Sequence, residues 1–563
     1  MNSAPIMIGA VLFFYFFGYR VYAKIIEKKL IDPDNSPPPS LTMQDGIDYL
    51  PAKKPILFGH HFASIAGAGP IIGPLVALIN FGWLAALAWV ALGNVFIGAV
   101  HDYLALMLSV RNRGASIADI AEKAMGGTAK IIFSIFLYLA LILVVTVFGV
   151  VGAKTLVSQP SMVIPTFALI PVAIIFGWAV YIRNIPLVPA TFIVVTINLL
   201  FINFGYHYPV NLPAEGLFGF SQTNFWFAVL MAYAALASIL PVNLLLQPRD
   251  YIATFNLYLA MLLGFIAIIV IHPDMNAPVV VSTFSESKGP IWPMLFVLVA
   301  CGAVSGFHSL VSSGTTSKQL ASEKDGKAIA FGGMLLEGVL AVMTLVLVGG
   351  GLYWVPPSDA VDMEKYGIRE VMASGGWVVL FGNGFGSVVS KMLPFVGFSI
   401  ASMIAMTALK TFILTTLDSS TRIARFIIEE SLGRKYKFFR NKYVALLLVV
   451  LPAYFLGASS SYTKIWPVFG ATNQLIAALA LMVISTYLIG IKKPVRYTLI
   501  PAIFMIVTTI AALAWQAFSF FRSEIPNYFL GNISIMLICL ALFVAYEGFS
   551  VFLRINRKTA IEE

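Results

Sequence analysis

The sequence predicts an all-α polytopic membrane protein with about fifteen transmembrane helices, and three observations predict it. Over 563 residues, 59% are hydrophobic and only 11% are charged, too little polar surface to clothe a soluble globule. Apolar runs of roughly 20 residues, long enough to cross a bilayer, recur along the whole chain. Lys and Arg then fall on alternate connections between those runs, as the preference of basic residues for the cytoplasmic side requires. Spans are placed near 5–23, 56–80, 84–110, 128–151, 163–181, 187–204, 222–246, 250–272, 290–313, 328–352, 393–417, 443–457, 465–489, 497–521 and 530–553.

The first span has no basic residues before it and Arg20, Lys24, Lys28 and Lys29 after it, which makes residues 1–31 a retained anchor with its N-terminus outside. Residues 32–54, with Ser36-Pro37-Pro38-Pro39-Ser40, read as an extended cytoplasmic linker that isolates this helix. Residues 55–289 form the first half of a transport core, 290–490 the second half, and 491–563 the C-terminal helices. Counting alternate connections as cytoplasmic collects 28 of the 36 basic residues on one side and leaves the C-terminus there. The net charge of +10 is therefore topological, and no nucleic acid is implied. Pro356 to Asn383, on the opposite side, is Gly-rich and is either a plain surface loop or a segment dipping over a vestibule. Cys301 and Cys539 both lie in apolar runs, which supports neither a disulfide nor a cysteine metal site.

One segment breaks the helical pattern. Gly59-His60-His61-Phe62-Ala63-Ser64-Ile65-Ala66-Gly67-Ala68-Gly69-Pro70 sets three glycines, a proline and two histidines inside an apolar span. In lipid such a composition is tolerated where the freed backbone is buried or lines a cavity, so the segment reads as a discontinuous helix. Pro70 suits the start of the second half-helix, and the amides of Gly67, Ala68 and Gly69 would offer a positive dipole end to a carboxylate.

A second stretch, Gly306-Phe307-His308-Ser309-Leu310-Val311-Ser312-Ser313-Gly314, echoes the first when Gly306 is set on Gly59, His308 on His61 and Gly314 on Gly67. Seven span steps separate them, so they cross in opposite directions, the arrangement of an inverted repeat with its site at the midplane. Ser64, Ser305, Gly306, His308, Ser312 and Ser313 join the amides as candidate substrate ligands.

These residues resemble the carbon starvation protein A family of peptide and pyruvate transporters. The resemblance is carried by GHHFASIAGAGPIIGP (59–74), HDYLALMLSVRNRG (101–114), QPRDY (247–251), GFHSLVSSGTTSKQL (306–320), TTLDSSTRIARF (415–426) and FGATNQLIAALAL (469–481). It implies the LeuT-like fold of the amino acid-polyamine-organocation superfamily, with broken core helices at 56–80 and 290–317 and the eighth core helix at 393–417. The first repeat here holds two spans more than that fold has.

Coupling needs ionisable or ion-coordinating groups inside apolar spans. His61 and His308 are the preferred proton pair, because histidine changes charge near neutral pH. Asp102, beside His101, is a relay candidate that equally suits an ion pair with Arg111 or Arg113. Asp418 has Arg422 one turn later, the spacing of a local ion pair. Thr411 and Thr415, with Thr407, share a helix face; with Thr416 they match a sodium site of the superfamily, against the alternative that these hydroxyls bond their own backbone. Lys410 offers a fixed cation in that place, which favours a proton over sodium. Gln247-Pro248-Arg249-Asp250 reads as a tight turn, and Asn473 and Gln474 as packing bonds across helices.

A metal enzyme is disfavoured: there is no His-Glu-x-x-His, and adjacent His60 and His61 point about 100° apart on a helix. A channel would ring its charges, and a sensor would need a signalling domain. The expectation is an importer in a bacterial-type cytoplasmic membrane that carries a small carboxylate, pyruvate with a proton, or alternatively short peptides. The proton is the coupling ion, with sodium as the alternative. No cofactor or metal is called for; the partners are the small-molecule substrate and the lipid bilayer, and nothing in the sequence assigns an oligomeric state.

Overall fold

A computed structural model describes residues 3–355, 362–458, 462–524 and 526–562. The chain runs α1 (Ala4–Ile31), α2 (Lys54–Ala66), α3 (Gly69–Phe81), α4 (Trp83–Arg111), α5 (Ile117–Met125), α6 (Gly127–Ser158), α7 (Pro160–Ile182), α8 (Leu187–His207), α9 (Gln222–Ile239) and α10 (Leu246–Ile271). It continues through α11 (Ile291–Leu298), α12 (Gly306–Gly314), α13 (Glu323–Gly351), α14 (Ile368–Met392), α15 (Gly397–Ser431), α16 (Lys442–Ala458), α17 (Tyr462–Gly490), α18 (Arg496–Arg522) and α19 (Tyr528–Glu562). A two-residue hairpin pairs Phe284 with Pro290 and Ser285 with Gly289.

Among the described residues, fourteen helices are long and apolar enough to span a membrane. Their burial sorts them into core and rim: 94% of the most apolar stretch of Lys54–Phe81 is buried, against 33% for Ala4–Ile31. The α2/α3 pair sits at the centre. Helix α2 packs on α10 and α15, whereas α3 packs on α13 and α11. The second broken pair is arranged likewise, with α12 against α4 and α17 and α11 against α18. Helices α6 and α15 run along one another, and their Phe148 and Thr416 stand against Gly67 at the first break. Helices α7 and α8 pack on each other and on α10.

The second discontinuous helix lies where the resemblance puts it: the span near 290–313 is two helices separated by Val299–Ser305, with Gly302 at φ +83°. Three expectations change. The segment from Ile368 is no loop: α14 is helical with a sharp kink at Gly376 (φ 69°, ψ −164°), while residues 356–361 lie outside the described set. Asn383 Nδ2 donates to the Lys365 carbonyl and Ser387 Oγ to that of Gly351, so α14 lies against the end of α13 opposite the basic face. Helix α15, at 35 residues, is long enough to cross alone. The α1 helix is not isolated either: Tyr15 is buried and its hydroxyl donates to the Val90 carbonyl. Finally, Gln247 to Asp250 form the first turn of α10 and are buried rather than looped.

Candidate functional site

At the first break Gly67 adopts φ +46° and ψ −149°, a conformation open to glycine, and Pro70 stands in the first turn of α3. Gly69 lies so close to the second break that an added Cβ would sit 2.3 Å from Cys301 Sγ. At that second break Asn473 does more than pack: its Oδ1 accepts from the Phe307 amide at 2.9 Å and its Nδ2 donates to Ser305 Oγ at 3.0 Å, capping α12. Gln474 Nε2 donates to the carbonyls of Phe296 and Val304 at 3.1 and 2.8 Å, satisfying backbone that the broken helix frees.

The two breaks are not related as the Gly306-on-Gly59 match suggests. His60 and His61 precede their break, and His308 follows its own. The histidine-bearing halves α2 and α12 therefore lie together on the basic-face side, and the residue that answers Gly67 is Gly302, each a positive-φ glycine at its break.

His60 and His61 are both fully buried and face different neighbours of α2. His60 Nδ1 lies 2.7 Å from Asp250 Oδ2 and its Nε2 3.3 Å from Thr315 Oγ1. Asp250 opens onto a buried network: Arg249 bridges Asp250 and Asp418, Tyr233 donates to Asp418 at 2.8 Å, and Thr415 donates to Asp250 at 3.0 Å. Asp418 is thus paired with Arg249, not with Arg422, whose guanidinium reaches Asp48 at 2.8 Å. The local i, i+4 spacing loses here to a partner from another helix.

His61 Nδ1 lies 2.9 Å from Thr316 Oγ1 and its ring packs on Gly333, one turn before Glu337. Across from it His308 Nδ1 meets Asp102 Oδ2 at 2.8 Å, and His101 Nδ1 meets Asp102 Oδ1 at 2.9 Å. Asp102 is held by two imidazoles rather than by Arg111, which pairs with Glu323 at 3.1 Å. His308 Nε2 then faces Glu337 Oε2 at 3.4 Å, and among the described residues neither atom has a hydrogen-bond partner. Glu337 Oε1 accepts from the Gly302 amide at 3.1 Å, which ties this carboxylate to the second break. The sulfur of Cys301, an imidazole nitrogen of His308 and a carboxylate oxygen of Glu337 lie within 4.8 Å of one another, the place among the described residues where an ion would find three such donors.

The remaining candidates divide. Ser64 Oγ lies 3.1 Å from Ser419 Oγ, and Thr416 Oγ1 3.5 Å from the Ser64 carbonyl, so Ser64, Gly67, Thr416 and Ser419 form one polar set at the first break. Thr411 donates to the Thr407 carbonyl, and Thr415 turns to Asp250 and Arg249, so neither joins that set. Lys410 donates to the Gly152 carbonyl at 2.5 Å and is buried against α6. Six residues separate it from Thr416, about 240° around the helix, which takes it away from the break. Ser313 accepts from the Ile117 amide and so ties α12 to the start of α5, Gly306 packs on the Asn473 and Ala477 backbone, and the buried Ser312 hydroxyl has no partner among the described residues. Ser419 is not legible in the sequence; Glu337, a lone acid in an apolar run, is one of the ionisable candidates the sequence offers, but nothing there gives it a partner or a role.

Residues 3–361 and 355–512 match the family described as Carbon starvation protein CstA. The chain belongs to this family. It is 31% identical to "Peptide transporter CstA" of Campylobacter jejuni over 90% of this chain and 79% of that protein. It is 32% identical to "Pyruvate/proton symporter BtsT" of Escherichia coli over 92% of this chain and 82% of that one. "Peptide transporter CstA" of Bacillus subtilis is 31% identical over 100% of this chain and 97% of its own length. Among solved structures, a manganese transporter of Eremococcus coleocola superposes with a TM-score of 0.51 at 12% identity, covering 92% of this chain and 99% of that one. The CstA-family chain is accordingly a multi-pass membrane transporter with the LeuT-like inverted-repeat fold and is not an enzyme.

Proposed function

We propose that this CstA-family chain imports a small carboxylate, pyruvate first, together with a proton, with its basic face toward the cytoplasm. The observation that carries the reading is His308 Nε2 opposite Glu337 Oε2 at 3.4 Å. With its Nδ1 hydrogen on Asp102, the imidazole turns a lone pair toward a carboxylate in a dry core. Two acceptors facing each other there repel unless a cation lies between them, and a proton shared by the pair is the smallest one that fits. Glu337 also holds the Gly302 amide, so loading this proton bears directly on the shape of the second break. The substrate carboxylate is assigned to the amides at Gly67 to Gly69, at the start of α3. The approach of Gly69 to Cys301 favours a small acid between the breaks over a di- or tripeptide, while the names of several relatives keep peptides as the second reading.

The test is uptake of labelled pyruvate into proteoliposomes under an inward proton gradient, with sodium gradients, chelator and dipeptides as separate arms. Accumulation driven by protons, indifferent to sodium and chelator and not competed by dipeptides, is the expected result. Dipeptide competition without pyruvate accumulation would move the assignment to peptide import, and loss of uptake in chelator would replace the proton by a metal ion.

A further inference from the structure

At the basic-face end of α6, α15 and α16 a cleft of about 570 Å³ opens sideways. Ile131, Ile135, Tyr138, Ile428, Leu432 and Leu448 line it, and the Tyr138 hydroxyl closes its floor by donating to the Leu448 carbonyl at 2.7 Å. The mouth is apolar and open: Ile131 is 62% and Ile135 49% exposed. The transport reading makes no use of this cleft.

Its rim is basic and unbalanced. Lys130 is committed to Asp119 and Glu122, and Arg434 bonds the same two acids, so those four charges cancel. The segment from 435 to 442 then adds Lys435, Lys437, Arg440 and Lys442 with no acidic residue. Lys435 is part of the cleft wall, and the exposed rings of Tyr436 and Phe438 lie in the same segment with that of Tyr443 directly after it, the aromatic signature of a membrane boundary. An apolar groove below, aromatic rings at its edge and uncompensated cations above match one kind of occupant.

We propose that the cleft is a binding site for an anionic phospholipid, with an acyl chain in the groove between α6 and α16 and the headgroup on Lys435 and its basic neighbours. Charge complementarity selects an anionic headgroup over a zwitterionic one, and the leaflet against the basic face is where polybasic segments meet such lipids. The lipid would wedge α6 to α15, the two helices whose Phe148 and Thr416 stand against Gly67 at the first break.

Native mass spectrometry of the full-length protein, released from vesicles of equal phosphatidylglycerol and phosphatidylcholine, tests this. The wild type is expected to retain phosphatidylglycerol at least about tenfold over phosphatidylcholine. Lys435→Glu combined with Lys437→Glu, on an exposed segment, should abolish the preference, and Ser134→Trp, which fills the groove, should lower total retained lipid. Glycerol phosphate added alone should not compete, which separates the whole lipid from a free phosphate. Equal retention of both lipids by the wild type would overturn the proposal, as would an unchanged preference in the double variant, or a cross-link from Ile131→Cys, at the exposed mouth, to a second copy of the chain in vesicles.

Discussion

Glu337 is worth more to this chain than its isolation in sequence suggests, because its two oxygens do separate things. One accepts from the Gly302 amide and the other faces His308. Glu337→Gln keeps the first bond and removes the second acceptor's charge. It should lower proton-driven uptake at least tenfold, about the loss of one charge-assisted hydrogen bond of roughly 1.5–3 kcal/mol, while exchange of labelled for unlabelled substrate persists. Equal loss of exchange and of driven uptake would assign Glu337 to structure. Lys410 makes the opposite case. Its amine meets one carbonyl in an apolar wall, so Lys410→Met should leave the ion dependence of uptake unchanged and fold stability neutral or higher, read as the thermal unfolding midpoint.

At the scale of the element, the first break depends on Gly67. A Cβ there would lie 2.7 Å from Thr416 Oγ1 and 3.1 Å from the Phe148 ring, on a backbone costing a non-glycine residue about 1–3 kcal/mol. Gly67→Ala should abolish uptake, and adding Thr416→Ala should recover only part of it, since the clash is relieved and the backbone strain is not; full recovery would show that contact alone is at stake. This break is legible in the sequence because Gly67, Gly69 and Pro70 crowd together. The second is not, because Val299 to Val304 is as apolar as a span and Gly302 stands there with a single cysteine. Asp418 misleads for a related reason: Arg422 is the right distance along the helix, while Arg249, the residue that reaches it, sits in a segment that reads as a loop until α10 buries it. The similarity of GHHF to GFHS marks a shared side of the membrane rather than a repeat register, a distinction that needs the direction of each half-helix.

For the whole molecule, the many apolar spans and the basic face follow from apolar length and Lys/Arg placement, which are cumulative properties of many residues. The clamp on α5 does not. Asp119 and Glu122 bind Lys130 of α6 and Arg434 beyond α15, joining distant parts of the chain on the basic face. The Lys130 ammonium, hydrogen-bonded to Glu122, holds that carboxyl below its ordinary value of 4.5. The clamp's contribution is therefore complete above about pH 4.5 and fades as pH falls through the lowered value. In Glu122→Gln the fall in unfolding midpoint below pH 4.5 should be shallower than in the wild type; identical slopes would remove the clamp from the acid response.

His60 and His61 moor α2 at two points, as a boat is tied fore and aft: His60 holds Asp250 of α10 and His61 holds Thr316 beyond α12. A movement that carries α2 away from both neighbours opens two bonds, and one that carries it away from a single neighbour opens one.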